Sequence, residues 1–88
     1  MKELSEFFKA LSCEWRIRII EMIGEGYVCQ CEFAEKLPID STTLSRHLKV
    51  LKDSGILMER KEGRKKFYSL KNEEILTIIE LTRKLLKG

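Results

Sequence analysis

The chain has 88 residues, of which 43% are hydrophobic and 35% are charged, and its net charge is +3. This length predicts one domain over residues 1–88, and the composition is that of a globular protein rather than a disordered chain. No apolar run is long enough to span a bilayer, and the N-terminal sequence MKELSEFFKALS lacks a signal-peptide pattern, so we expect a cytoplasmic protein with no membrane partner.

The first part of the chain has the hydrophobic spacing of helices. A stripe with the spacing i, i+3, i+4, i+7 predicts a first helix and comprises Leu4, Phe7, Phe8 and Leu11. A second stripe, from Trp15 to Ile23, predicts a second helix that ends at the glycines that follow. A short third helix is expected from about Cys31 to Leu37, where Pro38 ends it.

A fourth helix follows after a short turn. Asp40 or Ser41 can cap its start, and Gly55 ends it. The third and fourth helices are both short and are joined by about four residues, which is the spacing of a helix-turn-helix.

The pattern then changes to that of a hairpin. Strands are predicted at about 57–61 and 65–70, because Gly63 supplies the positive φ of a tight turn between them. Asn72 caps a last helix over 73–87. The predicted fold class is therefore α+β and mostly helical, a winged helix-turn-helix with four helices, a β-hairpin wing and a C-terminal helix.

Positive charge is concentrated in residues 41–66. This segment holds eight Lys and Arg against three acids, a net charge of +5, whereas the remainder nets −2. Such an asymmetry is typical of a protein that binds a polyanion, although on charge alone a solvated surface is the simpler interpretation.

The segment STTLSRHLKVLK has two distinct helical faces. Leucines form one face, and the opposite face carries an arginine, a lysine and hydroxyl groups that suit base edges and phosphates in a major groove. For His47, at the edge of the apolar face, a structural hydrogen bond and a DNA contact are both open. The predicted contacts to double-stranded DNA are Ser41, Thr42, Thr43, Ser45, Arg46, His47 and Lys49 in this helix and Arg60, Arg64 and Lys65 in the hairpin.

The terminal helices have more apolar surface than one small core can cover. This excess predicts a homodimer, in which two recognition helices would engage half-sites about 34 Å apart. The predicted interface consists of Leu4, Phe7, Phe8, Leu11, Ile78, Ile79 and Leu85.

An enzyme is not expected. The chain has a single histidine, only two aspartates and no phosphate-binding loop, which leaves no arrangement for a catalytic triad.

The segment YVCQCEF places Cys29 and Cys31 one residue apart. Inside a helix their side chains would be about 200° apart, so they could share an ion only if Cys29 precedes the helix or its first turn opens. The alternatives are two small buried hydrophobic residues or an oxidisable thiol pair. Three cysteines are an odd number and do not suggest a disulfide framework.

The segment STTLSRHLKVLKDSGILMERKEGRKKFYSL resembles the recognition helix and wing of the ArsR/SmtB family of metal-responsive repressors. LSCEWRIRIIEMI resembles the second helix of that family, and YVCQCEFAEKL resembles its metal-binding third helix. The resemblance covers nearly the whole chain. It implies a homodimer that represses its own operon and leaves operator DNA when a metal or metalloid binds.

The resemblance favours Cys29 and Cys31 as ligands of a thiophilic effector, with As(III), Sb(III), Cd, Zn and Cu(I) as candidates and no ion required for folding. As(III) or Sb(III) would take three sulfurs, Zn or Cd four ligands and Cu(I) two. A further family cysteine would fall at Ala34, and Glu32 could offer an oxygen. Cys13 would lie roughly 16 Å from Cys29 along the second helix, so it could join only from the other protomer or not at all, and a lightly buried residue at the helix start is the favoured interpretation. A thiol redox sensor and an effector-independent protein with inert cysteines remain as alternatives.

Overall fold

The computed structural model describes residues 2–88. The elements follow the order α1 (Lys2–Leu11), α2 (Glu14–Ile23), β1 (Tyr27–Cys29), α3 (Gln30–Lys36), α4 (Ser41–Asp53), β2 (Leu57–Glu62), β3 (Lys65–Leu70) and α5 (Glu74–Lys87). The predicted winged helix-turn-helix, with four helices, a hairpin and a final helix, is confirmed, and its boundaries agree to within a few residues. No helix in this described part of the chain is long and apolar enough to cross a membrane.

The strand β1 is an addition to the predicted hairpin. It pairs antiparallel with β3, so the sheet has three strands in the order β1-β3-β2. In this register Cys29 lies opposite Phe67, and Val28 lies opposite Tyr68. A strand of three residues is too short to show an alternating pattern of its own, and only its pairing with β3 defines it. The strand ties the entrance of α3 directly to the wing.

The wing turns through Gly63 and Arg64. Gly63 has a φ of 63°, as the sequence predicts, and no other residue type within 2–88 has a positive φ. A positive φ at the first turn position alone fits a type II′ turn, whose twist matches that of the two strands. Asn72 also acts as expected, because its Oδ1 accepts a hydrogen bond from the Glu74 N–H at the start of α5.

The core lies between α2, α3, α4 and the sheet. Its largest fully buried side chains are Phe33, Ile19, Ile20, Leu44, Leu48, Leu51 and Ile56. Each buried aliphatic side chain stabilises the fold by about 1.5–3 kcal/mol relative to an exposed one. Three of the seven, Leu44, Leu48 and Leu51, lie on one side of α4. Their burial fixes the orientation of this helix about its axis, so its opposite side faces solvent.

Candidate nucleic-acid interface and cysteine pair

The exposed side of α4 brings together most of the predicted base-contacting residues. Ser41, Thr42, Ser45, Arg46 and Lys49 line one shallow depression on the surface. All five side chains are exposed, whereas the leucines on the other side of the helix are buried. This surface offers hydroxyl groups, a guanidinium and an ammonium group in one place, which suits contacts to base edges and phosphates.

His47 and Thr43 occupy a different position on α4. Both are half-buried, and Nδ1 of His47 lies 3.3 Å from a guanidinium nitrogen of Arg16 in α2. Nε of Arg16 also donates to the Ala10 carbonyl at 2.6 Å, so this side chain joins the end of α1 to α4. Burial, and secondly the charge of Arg16, lowers the pKa of His47 below its ordinary value. The geometry therefore favours the structural interpretation of this histidine.

The wing has two faces, since successive side chains along a strand point to opposite sides. Arg60 and Lys65 lie on the face that carries Phe67, next to β1. The Arg60 guanidinium is 4.3 Å from the centre of the Tyr27 ring and 2.8 Å from a carboxylate oxygen of Glu62. These contacts already engage one of the predicted wing cations within the protein.

The other face of the wing packs toward α4 and carries cations that the sequence analysis did not select. Lys61 lies opposite Lys66 across the hairpin, on the same face as the buried Tyr68. Between this face and α4 is a cleft of about 260 Å³, whose lining includes Lys66, Lys49 and Lys52. The period of two could have identified both lysines, because Lys66 is two positions from Tyr68 and Lys61 is two positions from Glu59, which lies opposite Tyr68 in the hairpin.

Tyr68 forms a hydrogen-bonded group at the bottom of this cleft. Its hydroxyl donates to Oε1 of Glu59 at 3.1 Å, and Glu59 lies 3.5 Å from Nζ of Lys52 in α4. Burial first, and then Glu59, raises the pKa of Tyr68 to about 12. The phenol is therefore a neutral donor at ordinary pH, and the group links the wing to the recognition helix.

Cys29 and Cys31 meet at the junction of β1 and α3. Cys29 is the N-cap residue of α3, with extended φ and ψ of −68° and 139°, so it lies outside the helix. The two sulfurs are joined in a disulfide with Cα atoms 5.1 Å apart, and the Cys31 N–H donates to Sγ of Cys29 at 3.3 Å. Cys29 is half-buried and Cys31 is exposed. Cys29 thus precedes the helix, and this is the condition under which the two sulfurs can reach one ion.

The reduced pair would supply two sulfur ligands to a soft ion. Within residues 2–88 no group of three or more His, Cys, Asp and Glu side chains is arranged to hold a metal. Glu32 lies 3.4 Å from Nζ of Lys36, and Cys13 is a free thiol at the N-cap of α2. Two thiolates suit a two-coordinate ion such as Cu(I), whereas As(III) or Cd requires further ligands beyond this pair.

The predicted dimer residues lie on α1 and α5 and differ in their exposure. Leu4, Phe8 and Leu85 are 55%, 52% and 77% exposed, while Phe7, Leu11 and Ile79 pack partly against the core of the same chain. A groove of about 360 Å³ between these helices is lined by side chains that include Phe8, Leu11, Ile78, Ile79 and Leu86. The structure thus leaves large apolar side chains uncovered on the terminal helices.

A short helix pair with an exposed polar recognition face, followed by a basic two-stranded wing, defines a winged helix-turn-helix DNA-binding domain. The family described as "Bacterial regulatory protein, arsR family" matches residues 13–58. The chain belongs to this family. It is accordingly a transcriptional regulator and not an enzyme.

Curated relatives in this family include two resistance regulators of Staphylococcus aureus. The chain is 37% identical over 79 residues to a cadmium resistance regulatory protein CadC homolog, covering 89% of this chain and 65% of the relative. It is 35% identical over 79 residues to an arsenical resistance operon repressor, covering 90% of this chain and 76% of the repressor.

Solved structures show the same fold. Rv0081 of Mycobacterium tuberculosis is 32% identical, with a TM-score of 0.88 over 98% of this chain and 87% of that one. The winged helix-turn-helix domain of Mb0332 from Mycobacterium bovis, described as homodimeric, has a TM-score of 0.85 over 98% of this chain and 80% of that one, at 23% identity. At that identity the second likeness concerns the fold alone.

Proposed function

We propose that this regulator is a homodimeric repressor that binds operator DNA through α4 and the wing. A thiophilic metal or metalloid ion bound by Cys29 and Cys31 releases it from the operator. The observation that carries this proposal is the position of the cysteine pair, at the one junction that connects β1, α3 and the wing.

Release follows from the way this junction is built. Cys29 pairs with Phe67 in the wing strand β3, and the next residues begin α3, whose buried Phe33 packs in the core beside α4. An ion that draws the two sulfurs into its own coordination geometry changes the first turn of α3. The exposed side of α4 and the wing can then no longer contact the operator DNA at the same time. A coupling of about 1–3 kcal/mol is ordinary for such a link, and DNA must weaken ion binding by the same factor.

The names of the relatives favour arsenic and cadmium among the candidate effectors. One relative is named for arsenical resistance and another for cadmium resistance. Thiolates prefer such soft ions, and the pair supplies two of the required ligands. One further ligand, such as the sulfur of Cys13 from a second protomer, would complete the coordination of As(III), and Cd would need two further ligands.

The disulfide between Cys29 and Cys31 supports a second candidate function, a thiol redox sensor. Two thiols and hydrogen peroxide give a disulfide and two water molecules, with both electrons passing from the sulfurs to the peroxide oxygens. Only thiolates bind the ion, so oxidation and metal binding exclude each other at this site.

The homodimer is supported by the uncovered apolar side chains of α1 and α5. A second copy would cover both helices at once, since the interface of a two-fold dimer is self-complementary. Two α4 helices would then reach successive half-sites on one side of the DNA, at a spacing of about 34 Å.

The test is a titration of the operator complex with arsenite and with Cd²⁺, under reducing conditions and without other metals. We expect wild-type protein to be released, and the double variant Cys29→Ser, Cys31→Ser to bind DNA but resist release. Cys13→Ser is the matched control, and it should change the response only if the site is shared between protomers.

Three outcomes distinguish the metal-responsive repressor from its alternatives. Release that persists in the double variant would place the effector site elsewhere. A response to peroxide in metal-free buffer, without one to arsenite or Cd²⁺, would favour the redox sensor. No response to either would leave a DNA-binding protein with inert cysteines.

A further inference from the structure

Gln30 is the residue between the two cysteines, and it is the first residue of α3. Its backbone is therefore part of the small ring that the disulfide between Cys29 and Cys31 closes. The structure records this backbone with the two sulfurs bonded to each other, and an ion that takes both sulfurs as ligands must change it.

The side chain of Gln30 reaches both DNA-binding elements. Its Nε2 lies 3.5 Å from Oγ of Ser45, on the exposed side of α4. Its Oε1 accepts a hydrogen bond at 3.3 Å from the hydroxyl of Tyr68, in the wing strand β3. One amide group thus touches the recognition helix with one atom and the wing with the other.

The partner in the wing is itself firmly held. Tyr68 is 4% exposed and donates to Glu59, which lies 3.5 Å from Nζ of Lys52 in α4. The single phenol proton serves Gln30 and Glu59 in turn, so loss of one acceptor strengthens the bond to the other. A displaced Gln30 would leave Tyr68 bonded to Glu59 only and would remove the polar link that runs from the wing through Gln30 to Ser45.

We propose that Gln30 is the positioning residue that transmits the state of the cysteine pair to α4 and the wing, by holding Ser45 and Tyr68 through its side-chain amide. This inference rests on the proposed function, because it assigns the connection between an effector at the cysteines and the DNA-binding surface. The amide is in place in the structure, where the two sulfurs are bonded to each other, and it leaves when they bind an ion instead.

The experiment compares operator affinity with and without Cd²⁺ for wild type, Gln30→Leu and Glu35→Leu. Leucine keeps most of the volume of glutamine and removes both hydrogen-bonding groups. Glu35 lies on the exposed side of the same short helix, so its replacement is the matched control. Cd²⁺ binding itself is followed by the ultraviolet absorption of the cadmium–thiolate bonds.

In wild type and Glu35→Leu we expect Cd²⁺ to weaken DNA binding by about 5–150-fold, the usual range of coupling. Gln30→Leu should still bind Cd²⁺ through both sulfurs, but the ratio of its two dissociation constants should fall close to one. In addition, the backbone amide signals of Ser45 and Tyr68 should move on Cd²⁺ addition in wild type and stay in place in Gln30→Leu.

A Gln30→Leu protein with the wild-type ratio would overturn the inference and leave the proposed function intact. A wild-type ratio of one would instead remove the effector function, and this link with it. Tyr68→Phe keeps the buried ring and removes only the hydroxyl, so it replaces Gln30→Leu if that variant fails to fold. Full coupling in Tyr68→Phe would equally contradict the proposed route through the wing.

Discussion

Lys66 lies directly opposite Lys61 in the pairing of β2 with β3, on the face of the wing that packs toward α4. Two like charges opposite each other destabilise an antiparallel pair by themselves. A phosphate beside the two ammonium groups would relieve this repulsion. The arrangement therefore fits a wing that contacts the DNA backbone through this face.

The first prediction concerns these wing cations. Lys66→Ala should weaken specific and random DNA alike and should lower the slope of log K against log salt by about 1, because one phosphate contact is lost. The measurement is fluorescence anisotropy with labelled DNA over a series of salt concentrations.

Arg60→Ala is the matched control for that variant. The guanidinium of Arg60 is engaged with Tyr27 and Glu62, so its loss should leave the salt slope nearly unchanged. A larger change in slope for Arg60→Ala than for Lys66→Ala would assign the DNA contact to the opposite face of the wing.

The second prediction concerns base recognition by α4. Arg46→Ala should cost about 1–3 kcal/mol of operator binding and relax the preference at one base pair in each half-site. The reason is that an exposed guanidinium on this side of the helix can bond guanine with two hydrogen bonds. Competition assays against operators with single base changes measure this effect. Equal loss of specific and random binding would show that Arg46 contacts phosphate instead.

The third prediction concerns the dimer. Phe8→Glu should give a folded monomer, because this side chain is 52% exposed in the single chain and a buried charge in an interface is strongly unfavourable. Sedimentation velocity measures the oligomeric state, and circular dichroism monitors the fold. Met58→Glu, at 51% exposure in the wing, is the matched control and should remain a dimer. An unaltered dimer for Phe8→Glu would place the interface elsewhere.

The fourth prediction concerns pH and His47, the single histidine of the chain. Its folded-state pKa lies below the ordinary value of 6.5 because of burial and, secondly, the charge of Arg16. As the pH falls, His47 therefore becomes protonated in the unfolded chain at a higher pH than in the folded protein. The free energy of unfolding should be largest above about pH 6.5 and should fall as the pH drops from there toward the folded-state pKa.

Urea unfolding of wild type and His47→Gln over this pH range measures the effect. The glutamine variant should lose the slope just below pH 6.5, while the separate effect of the carboxylates at lower pH remains. The same slope in both proteins would mean that protonation of His47 does not couple to folding.

Much of the fold could be predicted from the sequence, because its determinants are local. The leucine spacing of α4, the glycine at position 63 and the cap at Asn72 each act within a few residues of themselves, and each has its expected effect in the structure. The exposed side of α4 follows from the same leucines. Once the buried side of a helix is known, the polar residues on its other side are known as well.

The contacts between distant segments could be decided only by the tertiary structure. Cys29 faces Phe67 across 38 positions, and β1 exists because β3 offers it a partner; no local pattern encodes such a pairing. The same holds for Arg16 with His47 and for Gln30 with Ser45 and Tyr68, which are brought together by the packing of α2 and α3 against α4 and the sheet. Sequence periodicity determined which side of each element is buried. Only the packing of these buried sides against one another decided which polar side chains meet, because that depends on where each element lies in space.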